Sequence, residues 1–198
     1  MPRRPLTHLL AVAVATSALL VPAADAGAAT IAGTPRGDHL LGTHRADTID
    51  GLAGRDRIRA RGGDDIVSGG FGRDHVSGGF GDDRIDGGPG RDRILANKGV
   101  DAISGGDGND DLWALSRKDV TGPGDTAGDT LDGGAGNDRF HTYDGEADRI
   151  TCGAGNDRVI ADLHDVITDA TPENPNGSCE RVTRSQPESD AQESDDGE

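Results

Sequence analysis

Aromatic side chains are nearly absent: the 198 residues include one Trp, one Tyr and three Phe. A conventional globular core leans on such rings for buried area, so only a thin core is available here. Cysteine occurs twice, at Cys152 and Cys179, and neither belongs to a CxxC pair. A thiol redox centre is therefore not expected. His39, His44, His75, His141 and His164 do not fall at zinc-ligand spacings and read as surface residues. Basic residues are outnumbered 20 to 36, leaving a net charge of −16. That balance weighs against nucleic acid and against unaided binding to anionic membranes. The one long apolar run, Leu9 to Val21, is too short to span a bilayer.

That run has its own reading. Arg3 and Arg4 precede it and Ala24-Asp25-Ala26 follows, the layout of a cleaved secretory signal over residues 1–26. No transmembrane segment is expected, and the mature chain is expected outside the cell. General export and the twin-arginine route both stay open.

What the chain has in excess is glycine and aspartate, and they recur with a period. Residues 69–95 read GGFGRDHVS, GGFGDDRID, GGPGRDRIL. Counting nine from Gly33, the sixth place holds Asp38, Asp47, Asp56, Asp65, Asp74, Asp83, Asp92, Asp101 and Asp110. The eighth place holds Leu40, Ile49, Ile58, Val67, Val76, Ile85, Ile94, Ile103 and Leu112. A poorer ten-residue unit follows from Ala114, with Asp119 and Thr121. The frame then resumes with Asp129, Asp138, Asp148 and Asp157. Counting it, the phrase occurs about fourteen times across a roll assigned to residues 27–160.

Each unit divides in two. Glycine at places one, two and four suits tight turns that need left-handed backbone. Places seven to nine run polar, apolar, polar, as in Arg84-Ile85-Asp86, which describes a short strand with its middle side chain inward.

The phrase GGxGxDxUx, with U a large apolar residue, resembles the repeat-in-toxin (RTX, hemolysin-type) calcium-binding repeat. The resemblance implies an all-β fold, a right-handed parallel β-roll in which two nonapeptides complete one coil. It also implies calcium ions between stacked turns. The implied side-chain ligands are Asp56, Asp65, Asp74, Asp83, Asp92, Asp101, Asp110, Asp138 and Asp157. The implied backbone-carbonyl ligands are Gly70, Gly72, Gly79, Gly81, Gly88, Gly90, Gly106 and Gly108.

Two units per coil would stack Asp38, Asp56, Asp74, Asp92 and Asp110 on one side. Asp47, Asp65, Asp83 and Asp101 would stack on the other, followed there by Asp138 and Asp157 beyond the irregular unit. Carboxylates one strand spacing apart, about 4.8 Å, repel by about 3 kcal/mol at an effective dielectric near 20. A divalent cation reverses that sign. Calcium suits the site because it accepts many oxygens in flexible geometry. Folding is therefore expected to depend on several bound Ca²⁺ ions. Arg36, Arg45, Arg117, Ala127 and Glu146 replace the place-four glycine, and that weighs against calcium at those turns.

The end of the chain breaks the period. Residues 161–184 read as a cap held by a Cys152–Cys179 disulfide, which is worth roughly 3–4 kcal/mol by loop-closure entropy. Residues 185–198 read as a disordered acidic tail. Trp113 and Leu115 are expected to pack over a bulge at the irregular unit. No catalytic residues are assigned, because the repeat explains the aspartates. The expected protein is a secreted, monomeric calcium-binding roll. The alternative is a non-catalytic adhesion or accessory component of a toxin- or enzyme-related secreted system, with its protein or surface partner unknown.

Overall fold

The computed structural model describes residues 27–114, 128–171, 174 and 176–184. The expected signal segment, the acidic tail, Leu115, Asp119 and Thr121 lie outside these residues. Successive short strands alternate between two parallel eight-stranded sheets. The first sheet runs Thr30–Ala32, Thr48–Asp50, Ile66–Ser68, Arg84–Asp86, Ala102–Asp107, Thr130–Ala135, Arg149–Thr151 and Val166–Ile167. The second runs His39–Leu41, Arg57–Gly62, His75–Phe80, Arg93–Lys98, Asp111–Trp113, Arg139–Thr142, Arg158–Ala161 and Arg181–Arg184. Ala53–Gly54 and Phe71–Gly72 pair as a further short ladder within the turns. The architecture is the expected β-solenoid.

The register shows why a nine-residue period builds it. Ile49 pairs with Val67 and Val67 with Ile85, while Ile58 pairs with Val76 and Val76 with Ile94. As far as Leu112, each apolar side chain thus stacks on its counterpart 18 residues away. The two resulting files face each other and close a core of Ile, Val, Leu and Ala with a single buried phenylalanine, Phe140. Nothing larger is needed, because two facing files of β-branched residues fill the narrow space between the sheets.

Place two of the turn sits in left-handed backbone: Gly70, Gly88 and Gly106 have φ of 88°, 86° and 95°. At three of the turns that lack this glycine the backbone keeps that shape, with Leu52 at 69°, Arg61 at 88° and Asn97 at 83°. The stack of neighbouring coils imposes the turn even on residues that resist it.

One expectation is corrected. Among the described residues, no rung stands between the strands that flank the irregular unit from Ala114. Ile103 pairs directly with Leu131, and Leu112 with Phe140. The strand after the gap therefore joins the sheet that Ile103 left off. Asp138 and Asp157 consequently stand in the column of Asp38 to Asp110, and Asp129 and Asp148 follow Asp101.

The C-terminal segment adds Val166–Ile167 to the first sheet and Arg181–Arg184 to the second. Cys152 and Cys179 are buried and disulfide-bonded, which ties this last stretch to the coil beneath it.

Candidate metal centres along two aspartate columns

Among the described residues, the sixth-place aspartates line the inside of the turns, and all but Asp38 are buried. In the first column the Asp38 amide donates to Oδ1 of Asp56 at 2.7 Å, Asp56 to Asp74 at 2.7 Å, and Asp74 to Asp92 at 2.7 Å. The series continues from Asp92 to Asp110, Asp110 to Asp138 and Asp138 to Asp157, each at 2.8 Å. The Asp157 amide ends it by donating to Glu180 Oε2 at 2.6 Å. The second column runs from Asp47 through Asp65, Asp83, Asp101, Asp129 and Asp148 to Asp165 in the same way. Each carboxylate thus reaches toward the coil before it and satisfies one amide with one oxygen.

The second oxygen has no such partner. Oδ2 of Asp56, Asp65, Asp74, Asp83, Asp92, Asp110, Asp138 and Asp157 is buried and accepts no hydrogen bond. Its position is set by the small residue at place one of the same turn. A Cβ built on Gly69 would lie 3.1 Å from Asp74 Oδ2, and one on Gly87 would lie 2.9 Å from Asp92 Oδ2. A buried carboxylate oxygen left unpaired costs free energy unless a proton or a cation meets it.

The ionisation behaviour follows. Burial pushes Asp56 and Asp65 up to about 6, and Asp83, Asp92 and Asp138 up to about 7. The amide donated from the preceding coil opposes the rise, and neighbouring carboxylates in the column reinforce it. Burial also raises Asp74, Asp110 and Asp157. At Asp110 the guanidinium of Arg91, at place five, pulls the other way.

The glycines nominated as carbonyl donors frame the same columns. Gly70, Gly72, Gly88, Gly90, Gly106 and Gly108 belong to turns of the first column, and Gly79 and Gly81 to turns of the second. Gly72, Gly90 and Gly108 stack as bridged partners. A side chain at Gly90 or Gly108 would fall on the carbonyl oxygen of the glycine one coil before. Carbonyls and carboxylates from adjacent turns are therefore brought close together, and oxygens of both kinds suit a hard cation such as calcium.

The structure also gathers acidic residues that were not nominated from sequence. Asp129, Glu146 and Asp148 each offer an oxygen, all within 4.8 Å of one another, and all three residues are buried. Burial raises Asp129 to about 8 and Asp148 to about 9, with Asp144 among the charges acting on both. Asp165 closes the column, and its Oδ2 accepts from Thr142 Oγ1 at 2.8 Å. The density of carboxylates in Asp144-Gly145-Glu146-Ala147-Asp148 was the available signal. Asp165 gave none, because it lies out of the nine-residue phase.

The histidine reading needs one correction. His141 is half-buried, stacks on Trp113 with ring centroids 3.7 Å apart, and meets Asp111 Oδ1 at 3.1 Å. Cross-strand pairing of Trp113 with His141 places the two rings face to face.

Against known families, the model of the RTX calcium-binding nonapeptide repeat matches residues 41–76, 77–112 and 123–159. Together these cover more than half of the chain, and the gap falls in the irregular unit from Ala114. No curated protein matches the chain.

Proposed function

Since the chain belongs to the family of RTX calcium-binding nonapeptide repeats, we propose that it is a secreted, non-catalytic calcium-binding roll whose folding is coupled to Ca²⁺. The observation that carries this reading is the file of buried Oδ2 atoms without hydrogen-bond partners along both columns. Calcium supplies the positive charge that cancels repulsion between stacked carboxylates.

The residues proposed to hold it are Asp56, Asp74, Asp92, Asp110, Asp138 and Asp157 in one column and Asp65, Asp83 and Asp101 in the other. The nominated glycine carbonyls complete the oxygen set. Each aspartate already anchors one oxygen to a neighbouring amide, so the other is held in place without a flexible side chain having to be ordered. An ion that binds only the stacked form adds its binding free energy to folding.

The apolar segment Leu9 to Val21 and the Cys152–Cys179 disulfide both support an extracellular setting. Calcium outside cells is abundant enough to occupy sites of the modest affinity, about 10⁻⁴–10⁻³ M, typical of extracellular modules.

Calorimetric titration of the full chain with calcium, alongside circular dichroism, tests the reading. Asp74→Ala, Asp92→Ala and Asp83→Ala are each expected to weaken binding and to lower the melting temperature only when calcium is present. Wild-type behaviour in all three variants contradicts the assignment.

A further inference from the structure

We propose that Asp129, Glu146 and Asp148 form a separate cation site, built from side-chain carboxylates where the repeats use glycine, and that it takes a hard divalent ion such as Ca²⁺. The turn at 143–148 departs from the repeat at three places. Tyr143 and Asp144 stand where the first two glycines would be, and Glu146 replaces the glycine of place four. By the rule that glycine is needed at place four this turn looks disabled for metal. The geometry says otherwise. The substitutions bring additional carboxylate groups to the second column, and an oxygen from each of three buried residues lies within 4.8 Å of the other two.

A cluster of acids alone would not make a site, but one of its members is left incomplete. Asp148 is fully buried, and its Oδ1 is occupied by the Asp129 amide at 2.7 Å. Its Oδ2 is buried and accepts no hydrogen bond. Asp144, Asp165 and Asp129 are the charges that bear on this carboxyl. An uncompensated carboxylate at full burial, surrounded by others, requires a proton or a cation.

Calcium affinity rises with the number of charged ligands. Three carboxylates from two successive turns exceed the two aspartates that a pair of successive repeat turns supplies, so this site is expected to fill first. It does not depend on the repeat turns binding calcium.

Tyr143, the one tyrosine in the chain, directly precedes Asp144 and gives the site its own reporter. Terbium(III), which shares calcium's preference for oxygen ligands, is the probe. Added to the metal-free full chain, it should give tyrosine-sensitised emission that calcium displaces. Tyr143→Phe should remove the emission and leave calcium calorimetry unchanged. Glu146→Gln and Asp129→Asn should each abolish it and cost one calcium equivalent, weakening the tightest binding step by about ten-fold or more. Circular dichroism in saturating calcium shows whether each variant folds, and either folded variant suffices.

Asp74→Asn separates this proposal from the previous one. It should lose weaker equivalents and keep the terbium signal. Emission missing in wild type, or unchanged in folded Glu146→Gln or Asp129→Asn, overturns the separate site while leaving the repeat sites standing. Loss confined to the Glu146 and Asp129 variants, with Asp74→Asn binding as wild type, supports this site and overturns the repeat assignment.

Discussion

Removing calcium should make the roll prefer acid. Asp83, Asp92 and Asp138 are each raised by burial to about 7 from an ordinary 3.8. Between those values the folded chain binds more protons than the unfolded chain, so stability falls as pH rises. The contribution is complete below about pH 4 and is lost as pH passes through 7. Asp129 and Asp148, raised to about 8 and about 9, carry the decline further. Taken in full, a rise of about three units is worth roughly 4 kcal/mol per group. Solvent along the turns screens these charges, so about one unit each is the better guide, or roughly 4 kcal/mol for the three together. For a chain of this size that corresponds to a melting temperature about 8–16 °C higher at pH 4 than at pH 7.5. The assay is far-UV circular dichroism melting of the full chain after calcium is removed by dialysis. Adding millimolar calcium at pH 7.5 should restore what was lost, because the cation replaces the proton at the same oxygens. A metal-free melting temperature that climbs from pH 4 to pH 7.5 refutes the reasoning.

Three further perturbations probe the stack itself. Gly90→Ala puts a methyl group onto the Gly72 carbonyl oxygen, forcing two coils apart; a loss of about 4 kcal/mol or more is expected in denaturant unfolding. Leu52→Gly should do the reverse. Relief of left-handed strain at φ 69°, about 1–2 kcal/mol, outweighs the added flexibility of the unfolded chain, for a net gain of roughly 0.5–1 kcal/mol in the same assay. Replacing both Cys152 and Cys179 by serine opens a loop spanning 27 positions and should cost about 3–4 kcal/mol, read as an earlier unfolding midpoint.

Most of the fold was legible because the nine-residue phase runs unbroken from Gly33 to Trp113. A strict period with one apolar and one acidic inward place leaves a chain little choice but to stack. The phase alone does not say that Ile103 pairs with Leu131 across the irregular unit, and there the expectation failed. Counting the unit at Ala114 as a rung moved Asp138 and Asp157 to the wrong column. Thr121 carried the warning: it is the polar residue at an otherwise apolar eighth place, and an unpaired hydroxyl is disfavoured in that file. At the candidate sites, Asp74 or Asp92 could be placed from sequence because every rung repeats the last. Asp165 and Glu180 could not, since chain segments of irregular length deliver them to the ends of the columns. Glu146 misled for a different reason. Judged as a missing glycine it removes a turn, whereas its carboxylate joins those of Asp129 and Asp148.

The most direct test is a crystal grown in millimolar calcium, with anomalous scattering used to locate the ions. Peaks between successive turns of both columns, touching the second oxygens of Asp56, Asp74, Asp92 and their counterparts, are the predicted result. Well-ordered turns with no such peaks, at full calcium, would contradict it.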